Sequence, residues 1–364
     1  MNQIKVLFIL NDLGGGGAEK VFVHIANGFR SNGLAVEILL AENKGVFFNL
    51  VSPEIPIHIL GTKTFLGLVK KLPAFFERKH FTHVFVAFDY ISAATIISNR
   101  ILKDKFITVA TLHYYLPYQL SILPIANRIW LQFLNKHIIS KAQKLVCVSN
   151  GVGEGFKKIV QNNNLQIKTI YNPVVEPVLL SLAKEDIDDC YKQMNYIITI
   201  GTLNEQKNQK RLLYSFKSVL HQRPDLHLLI LGAGSKEAEL KETCKILSIQ
   251  KNIHFLGFQL NPFKFLSQAK LFVLSSDYEG LGNVIIEALA LGINVVSTDC
   301  LSGPREILED GKYGWLAEMN HPDDLAAKVI LALDNPKPSS FLVERSKRFE
   351  KDLILEEYLN LVRS

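Results

Sequence analysis

The chain of 364 residues has no long uninterrupted hydrophobic run, although 48% of its residues are hydrophobic. A helix that crosses a bilayer needs about 20 consecutive, mainly apolar residues. No segment approaches that length, so the sequence predicts no membrane-spanning helix. The first ten residues also lack the layout of a secretory leader, because Lys5 interrupts a short apolar run. We interpret that run as a first buried strand.

Cysteine is scarce as well. The four cysteines, Cys147, Cys190, Cys244 and Cys300, are scattered without the spacing of a metal site. The ten histidines form no ligand cluster along the sequence either. We therefore expect no metal centre, and reduced thiols of the kind that cytoplasmic proteins carry. The expected location is the cytoplasm.

Charge is present but unevenly distributed. Residues 1–180 hold 19 Lys and Arg against 10 Asp and Glu, whereas residues 181–364 hold 22 against 25, which sums to the net +6 of the chain. A basic half is typical of proteins that bind nucleic acid or an anionic membrane surface. No recognised nucleic-acid motif accompanies it. We therefore expect no nucleic-acid partner, and consider peripheral binding to the inner face of an anionic membrane.

The segment 62–80, TKTFLGLVKKLPAFFERKH, is where the sequence suggests such binding. Its apolar residues recur at roughly helical spacing beside five basic residues, as in helices that lie in a membrane interface. An ordinary packed helix with a solvated basic face would produce the same pattern. Pro73 counts against one continuous helix in either interpretation.

Strand-like and helix-like segments alternate along the whole chain, and the rhythm restarts after residue 190. Alternation of this kind predicts parallel sheets with helices on both faces. The expected fold class is therefore α/β, with two doubly wound, Rossmann-like domains. Strands are predicted at 4–10, 35–40, 83–88, 106–111 and 144–148, and again at 197–200, 226–231, 253–256, 271–274 and 294–297.

The most informative segment is 275–297, SSDYEGLGNVIIEALALGINVVS. It predicts a strand end, a tight glycine turn, a helix over 283–291 and a second strand. Glu279 then lies in the turn and Glu287 on the helix. Carboxylates accept hydrogen bonds from sugar hydroxyls, and the free N–H groups at a helix start bind phosphate. The segment therefore predicts a site for a phosphorylated, polyhydroxylated ligand.

A second glycine-rich element, LGGGGAEK at 13–20, follows the first predicted strand and opens a helix. It is not a dinucleotide fingerprint, because Glu19 stands where the third glycine is required, and it is not a phosphate loop, because no Gly-Lys-Ser/Thr follows. Four consecutive glycines let the backbone approach a ligand closely. We therefore assign a binding role to Gly15, Gly16 and Gly17.

Two further features lie at predicted strand ends. The first strand of the second half leads into GTLNEQKN at 201–208, which contains Lys207. His113 closes the apolar strand in VATLHYYLP, and Asp89 ends another strand in VAFDY. A lone histidine or aspartate at a strand end is either structural or part of a site, and the sequence leaves both interpretations open.

Together these motifs resemble those of the retaining family 4 glycosyltransferases with the GT-B fold, in the expected order over nearly the whole chain. The resemblance implies that Glu279 faces the donor sugar, Glu287 the ribose and Lys207 the diphosphate, while His113 lines the sugar pocket. Lys20 stands where the family usually has Arg, which keeps the charge.

One position departs from the family. Thr202 occupies the place of an arginine that, with Lys207, neutralises the donor diphosphate. A departing diphosphate needs cationic or amide stabilisation. We expect Lys207, the amides near Gly282 and Arg211 to supply it.

The predicted catalytic residues are Glu279, His113 and Lys207. The predicted donor-binding residues are Gly15, Gly16, Gly17, Gly201, Lys207, Gly232, Gly234, Phe258, Glu279, Gly280, Leu281, Gly282, Asn283, Val284 and Glu287. No metal ligand is predicted. No cofactor is expected, since the nucleotide sugar is a substrate.

The resemblance also implies the domain organisation. An acceptor-side domain is expected at 1–175, joined by a C-terminal helix at 344–364 that crosses back onto it. A linker is expected at 176–195, and a nucleotide-sugar-binding domain that faces the first across a cleft at 196–343.

The implied function is transfer, with retention, of a sugar from a nucleotide diphosphate sugar. A UDP-sugar is favoured as donor, and a surface glycan or a polyprenyl-linked saccharide as acceptor. Two alternatives share the architecture. A sugar-nucleotide 2-epimerase needs acid and base side chains around the sugar, of which the sequence offers few. A non-catalytic partner that binds a nucleotide or a glycan is the second alternative, and Thr202 is the residue that favours it.

Overall fold

The computed structural model describes residues 4–14 and 16–363, and these form two compact units. Unit 1 contains the described chain up to Pro173 together with the final helix from Lys351. Unit 2 comprises Val174–Glu350.

Unit 1 is built on a seven-stranded sheet in which every neighbouring pair is parallel. The strand order is β3-β2-β1-β4-β5-β6-β7. The central strands are buried because they consist of continuous apolar runs, as expected for a sheet that is covered on both faces. The strands are β1 (Lys5–Leu10), β2 (Ala35–Leu40), β3 (Ile57–Ile59), β4 (His83–Ala87), β5 (Ile107–Leu112), β6 (Lys144–Cys147) and β7 (Lys168–Thr169).

Six helices connect these strands, and all of them bury apolar residues inside unit 1, although α5 buries only Leu134 and Asn135. They are α1 (Gly17–Ser31), α2 (Phe65–Arg78), α3 (Asp89–Ile101), α4 (Leu116–Ile122), α5 (Ile125–His137) and α6 (Asn150–Val160). Short 3₁₀ turns lie at Phe48–Leu50 and Ile139–Lys141.

Unit 2 repeats the plan with a six-stranded parallel sheet in the order β10-β9-β8-β11-β12-β13. Its strands are β8 (Tyr196–Ile200), β9 (His227–Leu231), β10 (Ile253–Gly257), β11 (Leu271–Leu274), β12 (Val295–Thr298) and β13 (Trp315–Ala317). Its helices are α7 (Pro177–Leu182), α8 (Asp189–Lys192), α9 (Gln209–Leu220), α10 (Glu237–Leu247), α11 (Phe263–Leu266), α12 (Asn283–Ala290), α13 (Pro304–Ile307), α14 (Pro322–Asp334) and α15 (Ser339–Ser346), with 3₁₀ turns at Gln250–Asn252 and Lys347–Phe349.

The last helix, α16 (Lys351–Arg363), packs into the core of unit 1. Ile354, Tyr358 and Leu359 are buried there beside strand and helix residues such as Phe8 and Phe29. An added Cβ on Gly28 of α1 would lie 2.6 Å from Leu355, so the small residue allows α16 to approach.

The sequence predicted one helix over this C-terminal stretch, and the structure has two. Glu350 is extended between the 3₁₀ turn and α16. The carbonyl of Phe349 accepts hydrogen bonds from the amides of Val174 and Val175, at 3.2 and 3.1 Å, and is therefore not available to a continuous helix.

The predicted α/β class with two doubly wound sheets is confirmed, and ten predicted strands correspond to observed ones within a residue or two. The strands β3, β7 and β13 were missed. Each has only two or three residues and lies at or beside a sheet edge, so none carries a long apolar run.

Helix α2 corresponds to the predicted interfacial segment, and its apolar face is not available to a membrane. Leu68, Leu72 and Phe76 are buried inside unit 1, where α2 packs against α3. Lys79 forms an ion pair with Glu37 at 2.6 Å, and the ammonium of Lys71 donates to two backbone carbonyls. The structure therefore favours the ordinary packed helix, which remains helical through Pro73.

Each sheet has one point at which the strand order reverses: between β1 and β4 in unit 1, and between β8 and β11 in unit 2. In open parallel sheets, ligands bind beyond the carboxyl ends of the strands at such a point. The loops that follow β8 and β11 contain the predicted catalytic lysine and glutamate, so the topology makes them neighbours.

Candidate active site

The loops at 201–208 and 275–282 form the centre of the candidate site in unit 2. Backbone and side-chain hydrogen bonds join them. The amide of Asp277 donates to the carbonyl of Gln206 at 2.8 Å, and Gln206 Nε2 donates to the carbonyl of Tyr278 at 3.0 Å. Ser275 Oγ donates to the carbonyl of Lys207 at 2.9 Å. These bonds fix the lysine relative to the turn that carries Glu279.

Lys207 and Glu279 form an ion pair at this junction. Lys207 Nζ lies 2.5 Å from Glu279 Oε1, and Ser276 Oγ donates to the same oxygen at 2.6 Å. Glu279 is 5% exposed, and the hydroxyl of Ser302 donates to its backbone carbonyl. Oε2 has no hydrogen-bond partner among the residues that the structure describes. The carboxylate is therefore held by one oxygen and offers the other.

The start of helix α12 lies next to this pair in sequence. Gly282 is the residue before the helix and has φ 96°, a conformation that glycine adopts without strain. The amide of Ile285 donates to the carbonyl of Gly282 at 2.9 Å, and the first turn carries the positive end of the helix dipole. A helix start of this kind is suited to an anion, and the anion site stays a prediction.

The neighbouring residues of this turn differ in what they expose. Leu281 is buried, so only its backbone can face a ligand. An added Cβ on Gly303 would lie 2.0 Å from the carbonyl oxygen of Leu281, which explains the glycine there. Val284 and Glu287 are half-buried on α12.

The predicted helix end is confirmed at Gly292. Its amide donates to the carbonyl of Leu289, and the amide of Ile293 donates to that of Ala288, both at 2.9 Å. This is the Schellman arrangement, in which glycine takes a positive φ, here 71°. The helix ends at Ala290, one residue before the predicted end.

Two other predicted glycines, Gly232 and Gly234, bring backbones together. An added Cβ on Gly232 would lie 2.0 Å from the carbonyl oxygen of Gly201, and one on Gly234 would lie 2.2 Å from that of Leu203. These glycines are therefore required for packing of the loops after β8 and β9, whatever the loops bind. Phe258, after β10, is 67% exposed.

The structure corrects the expectation for Arg211. Its guanidinium is buried, lies 2.5 Å from Asp277 Oδ1, and donates to the carbonyl of Ser275 and to Asn320 Oδ1. It therefore holds the turn together and is not available to a diphosphate. The side chain of Thr202 is exposed.

The candidates Gly16, Gly17 and His113 lie in unit 1, beyond the carboxyl ends of β1 and β5, while Gly15 lies outside the described residues. Gly16 precedes α1, and an added Cβ there would lie 2.3 Å from Glu19 Oε2. The rings of Phe22 and His113 lie 5.7 Å apart.

His113 is held in one tautomer by Thr111. Thr111 Oγ1 donates its proton to the carbonyl of Val86 at 3.0 Å, so it can only accept from His113 Nε2, which lies 2.9 Å away. Nε2 therefore carries the proton and Nδ1 is left as an acceptor. Burial lowers the pKa of His113 to about 4, so the ring is neutral at neutral pH.

Asp89 begins helix α3, directly after Phe88, which has φ 70°. Burial raises the pKa of Asp89 to about 7, although a hydrogen bond from Asn135 opposes the shift. Asp89, His113 and Asn135 line one small pocket of unit 1.

Sequence reasoning missed the side chains that position the candidates. Ser276 holds Glu279, Ser302 holds its backbone, and Thr111 sets the tautomer of His113. Each follows or ends a buried strand, but hydroxyl residues are common there, so the sequence provides no specific signal. The described residues contain no group of three or more His, Cys, Asp or Glu placed to hold a metal ion.

Two family models match the chain in sequence order. Residues 15–176 match the family described as Glycosyltransferase Family 4, and residues 184–350 match Glycosyl transferases group 1. The two matches together cover both structural units.

Curated relatives and solved structures agree with these matches. An uncharacterized glycosyltransferase of Methanocaldococcus jannaschii is 37% identical over 246 residues, which are 57% of this chain and 61% of that protein. The N-acetylgalactosamine-N,N'-diacetylbacillosaminyl-diphospho-undecaprenol 4-alpha-N-acetylgalactosaminyltransferase of Campylobacter jejuni is 29% identical over 237 residues, 62% of each chain. The match thus spans about three fifths of the length of these relatives. The crystal structure of Anabaena HepE in complex with UDP-glucose has a TM-score of 0.81 at 20% identity, covering 99% of this chain and 100% of that one.

Proposed function

Because the chain belongs to the family 4 glycosyltransferases with the GT-B fold, we propose that it is a retaining glycosyltransferase. Its donor is a nucleotide diphosphate sugar, with UDP as the favoured nucleotide. Its acceptor is a surface glycan or a saccharide on a polyprenyl diphosphate carrier.

The observation that carries this proposal is the pairing of Lys207 and Glu279 at the switch point of the unit 2 sheet. It places a cation beside a carboxylate that has one available oxygen, and the start of helix α12 follows that carboxylate in the chain. A nucleotide diphosphate sugar needs these three groups: positive charge and amides for the phosphates, and acceptors for the hydroxyls.

The residues then take distinct roles. Lys207 and the amides at Gly282 bind the diphosphate, Glu279 and the adjacent backbone bind the sugar, and Glu287 accepts from the ribose hydroxyls. Without donor, Lys207 and Glu279 neutralise each other. The diphosphate draws the ammonium to itself, and Glu279 is then free to accept from sugar hydroxyls.

The chemical step requires stabilisation of charge as the bond between the sugar and the phosphate breaks. Lys207 and the helix amides stabilise the departing diphosphate. The acceptor hydroxyl attacks from the same face, and the departing phosphate oxygen accepts its proton. No side chain is assigned as the base. Neutral His113, with its proton on Nε2, keeps Nδ1 as an acceptor beyond the carboxyl end of β5 in unit 1.

The donor and acceptor classes rest on similar proteins. One solved structure that resembles this chain is a complex with UDP-glucose, and the Campylobacter relative is named for a diphospho-undecaprenol acceptor. Both curated relatives are named as glycosyltransferases, which supports transfer over 2-epimerisation. No described helix has the length and apolar character needed to cross a membrane. We propose that a lipid-linked acceptor is reached by peripheral binding to an anionic membrane.

A donor panel tests the proposal. The protein is incubated with UDP-, GDP- and ADP-sugars, and release of nucleoside diphosphate is followed without and with saccharide acceptors. We expect slow hydrolysis of one UDP-sugar and a faster reaction with the right acceptor, with the anomeric configuration retained in the NMR spectrum of the product. Inversion at C2 of the sugar would identify an epimerase. Donor binding with no turnover would identify a non-catalytic partner.

A further inference from the structure

Helix α5 presents an apolar face to solvent. Ile125, Ile129 and Phe133 follow one another at four-residue spacing, so they lie on one face, and they are 73%, 63% and 47% exposed. Trp130, adjacent on the same face, is 47% exposed. Large apolar residues are usually buried, and a contiguous exposed group of them marks an interaction site.

The inward side of α5 buries one apolar residue, Leu134, together with polar groups. Asn135 is fully buried, and its Nδ2 donates to the carbonyl of Leu131 at 2.9 Å. Arg128 donates to the carbonyl of Ser121 at 3.0 Å. The helix therefore does not bury its most apolar face within the described chain, which is the reverse of an ordinary surface helix.

The apolar face extends onto the start of α2. The ring of Phe65 meets that of Trp130 edge to face, with centroids 5.4 Å apart. Leu66, the next residue, is 70% exposed, and Ile122 at the end of α4 is 57% exposed. We call the set Leu66, Ile122, Ile125, Ile129, Trp130 and Phe133 the α5 surface.

The two chain segments that carry the α5 surface contain only basic charges. Between Asp104 and Glu154 the sequence has five basic residues and no acidic one, and between Glu54 and Glu77 it has three basic residues and no acidic one. Carboxylates from other segments approach but are paired: Lys63, before α2, pairs with Glu42 at 3.4 Å, and Glu154, on α6 against α5, pairs with Lys157 at 3.0 Å. Lys70 lies one helical turn after Leu66, is exposed, and has no ion pair among the described residues.

From this combination we propose that the α5 surface inserts into the headgroup region of an anionic phospholipid bilayer. Peripheral membrane proteins typically bind through a helix that lies in the membrane–water interface. Such a helix carries apolar and aromatic side chains with basic residues around them. Anionic lipid headgroups complement the basic charges of these two segments. This assignment rests on the membrane association proposed above and gives it a location other than the one that the sequence suggested.

Tryptophan emission tests the insertion directly. The chain has two tryptophans, so Trp315→Phe leaves Trp130 as the single reporter. With vesicles of equal parts phosphatidylglycerol and phosphatidylcholine at low salt, we expect the emission of Trp130 to shift to the blue. Vesicles of pure phosphatidylcholine should give a smaller shift. Unchanged emission with anionic vesicles would overturn the proposal.

A matched set of variants tests the location. Ile125→Gln, Ile129→Gln and Phe133→Gln together remove the apolar face but keep a good helix former at each position. A fully inserted large apolar side chain contributes a factor of about ten or more to affinity, so we expect the triple variant to lose about a hundredfold or more in vesicle sedimentation. The control is Ile246→Gln, Leu331→Gln and Leu353→Gln, three exposed apolar residues on other helices. It should bind vesicles like the unmodified chain.

The possible results of these experiments distinguish a wrong location from a wrong binding partner. Equal vesicle binding by both triple variants would show that the location is wrong, while membrane association would stand. The unmodified protein could instead fail to bind vesicles and form a concentration-dependent dimer that the α5 variant abolishes. The α5 surface would then bind a second copy of the chain, and the proposal would fail. Donor hydrolysis in the absence of vesicles is measured in parallel, so loss of transfer chemistry is recognised independently. Circular dichroism checks that each variant is folded.

Discussion

Lys207 Nζ lies 2.5 Å from Oε1 of Glu279, although the two residues are 72 positions apart in the sequence. The contact exists because β8 and β11 are neighbours in the sheet, and both residues lie in the loops that follow them. The pair fixes the lysine beside the carboxylate and orients the carboxylate through Oε1.

Glu279→Ala should separate nucleotide binding from transfer. The variant loses an acceptor for the sugar but leaves Lys207 without a competing carboxylate. We expect UDP affinity, measured by titration calorimetry, to be unchanged or higher, while the transfer rate falls by about tenfold or more. Lys207→Met should lower UDP affinity, because the diphosphate loses a positive charge. A parallel loss of UDP binding in Glu279→Ala would contradict this division of roles.

Glu287→Ala should weaken UDP binding by about ten- to a hundredfold, because two ribose hydroxyls lose a charged acceptor. The sharper measurement uses UDP that lacks both ribose hydroxyls. The variant and the unmodified protein should bind that analogue equally. Glu242→Ala, an exposed glutamate on α10 of the same unit, is the control and should leave both affinities unchanged. If the analogue is also bound more weakly by Glu287→Ala, the residue does not contact the ribose.

Thr202→Arg should tighten binding of the UDP-sugar and increase its salt dependence. The side chain at this position is exposed, and an arginine fork binds phosphate through paired, charge-assisted hydrogen bonds. Thr202→Gln, which is longer but uncharged, is the control and should leave the salt dependence as it is. Weaker binding by Thr202→Arg would mean that position 202 does not face the diphosphate.

Thr111→Val should reduce transfer while UDP affinity is retained, because His113 loses the acceptor that keeps its proton on Nε2. Thr111→Ser keeps the hydroxyl and should restore activity, which a packing role of the methyl group would not predict. Histidine ¹⁵N NMR of the unmodified protein should show neutral His113 with the proton on Nε2 down to a pH of about 4. A proton on Nδ1 would refute the assignment.

Asp89 should make a contribution to the stability of unit 1 that falls as the pH rises. Its pKa is raised by burial to about 7, so between about pH 4 and pH 7 the folded state holds a proton that the unfolded chain releases. The stabilising contribution is therefore complete at the acid end and is lost toward neutrality. Burial lowers the pKa values of His113 and His83 to about 4, so between about pH 4 and pH 6.5 these two groups contribute a slope of the opposite sign. The Asp89 contribution is therefore read as the difference between the unmodified protein and Asp89→Asn, from urea unfolding at several pH values. An equal pH dependence in both proteins would show that Asp89 does not contribute.

Local patterns in the sequence were enough to predict the architecture. Apolar runs such as 271–274 form strands because they can be buried on both faces, and Gly292 ends α12 because its positive φ suits glycine. Edge strands such as Trp315–Ala317 were missed because few residues and partial exposure leave no periodic signal. The break at Glu350 was missed because its cause is a contact with Val174 and Val175, far away in the sequence.

The sequence also identified the chemical groups of the candidate site, since carboxylates, a lysine and glycines in strand-end loops are recognisable by type and order. Only the tertiary structure decided which of them meet. Strand order, which no local pattern encodes, brings Lys207 next to Glu279. It also pairs Arg211 with Asp277, so that Arg211 is not available to a phosphate. Packing likewise buried the apolar face of α2 and exposed that of α5, because which face of a helix is covered depends on its neighbours and not on its own periodicity.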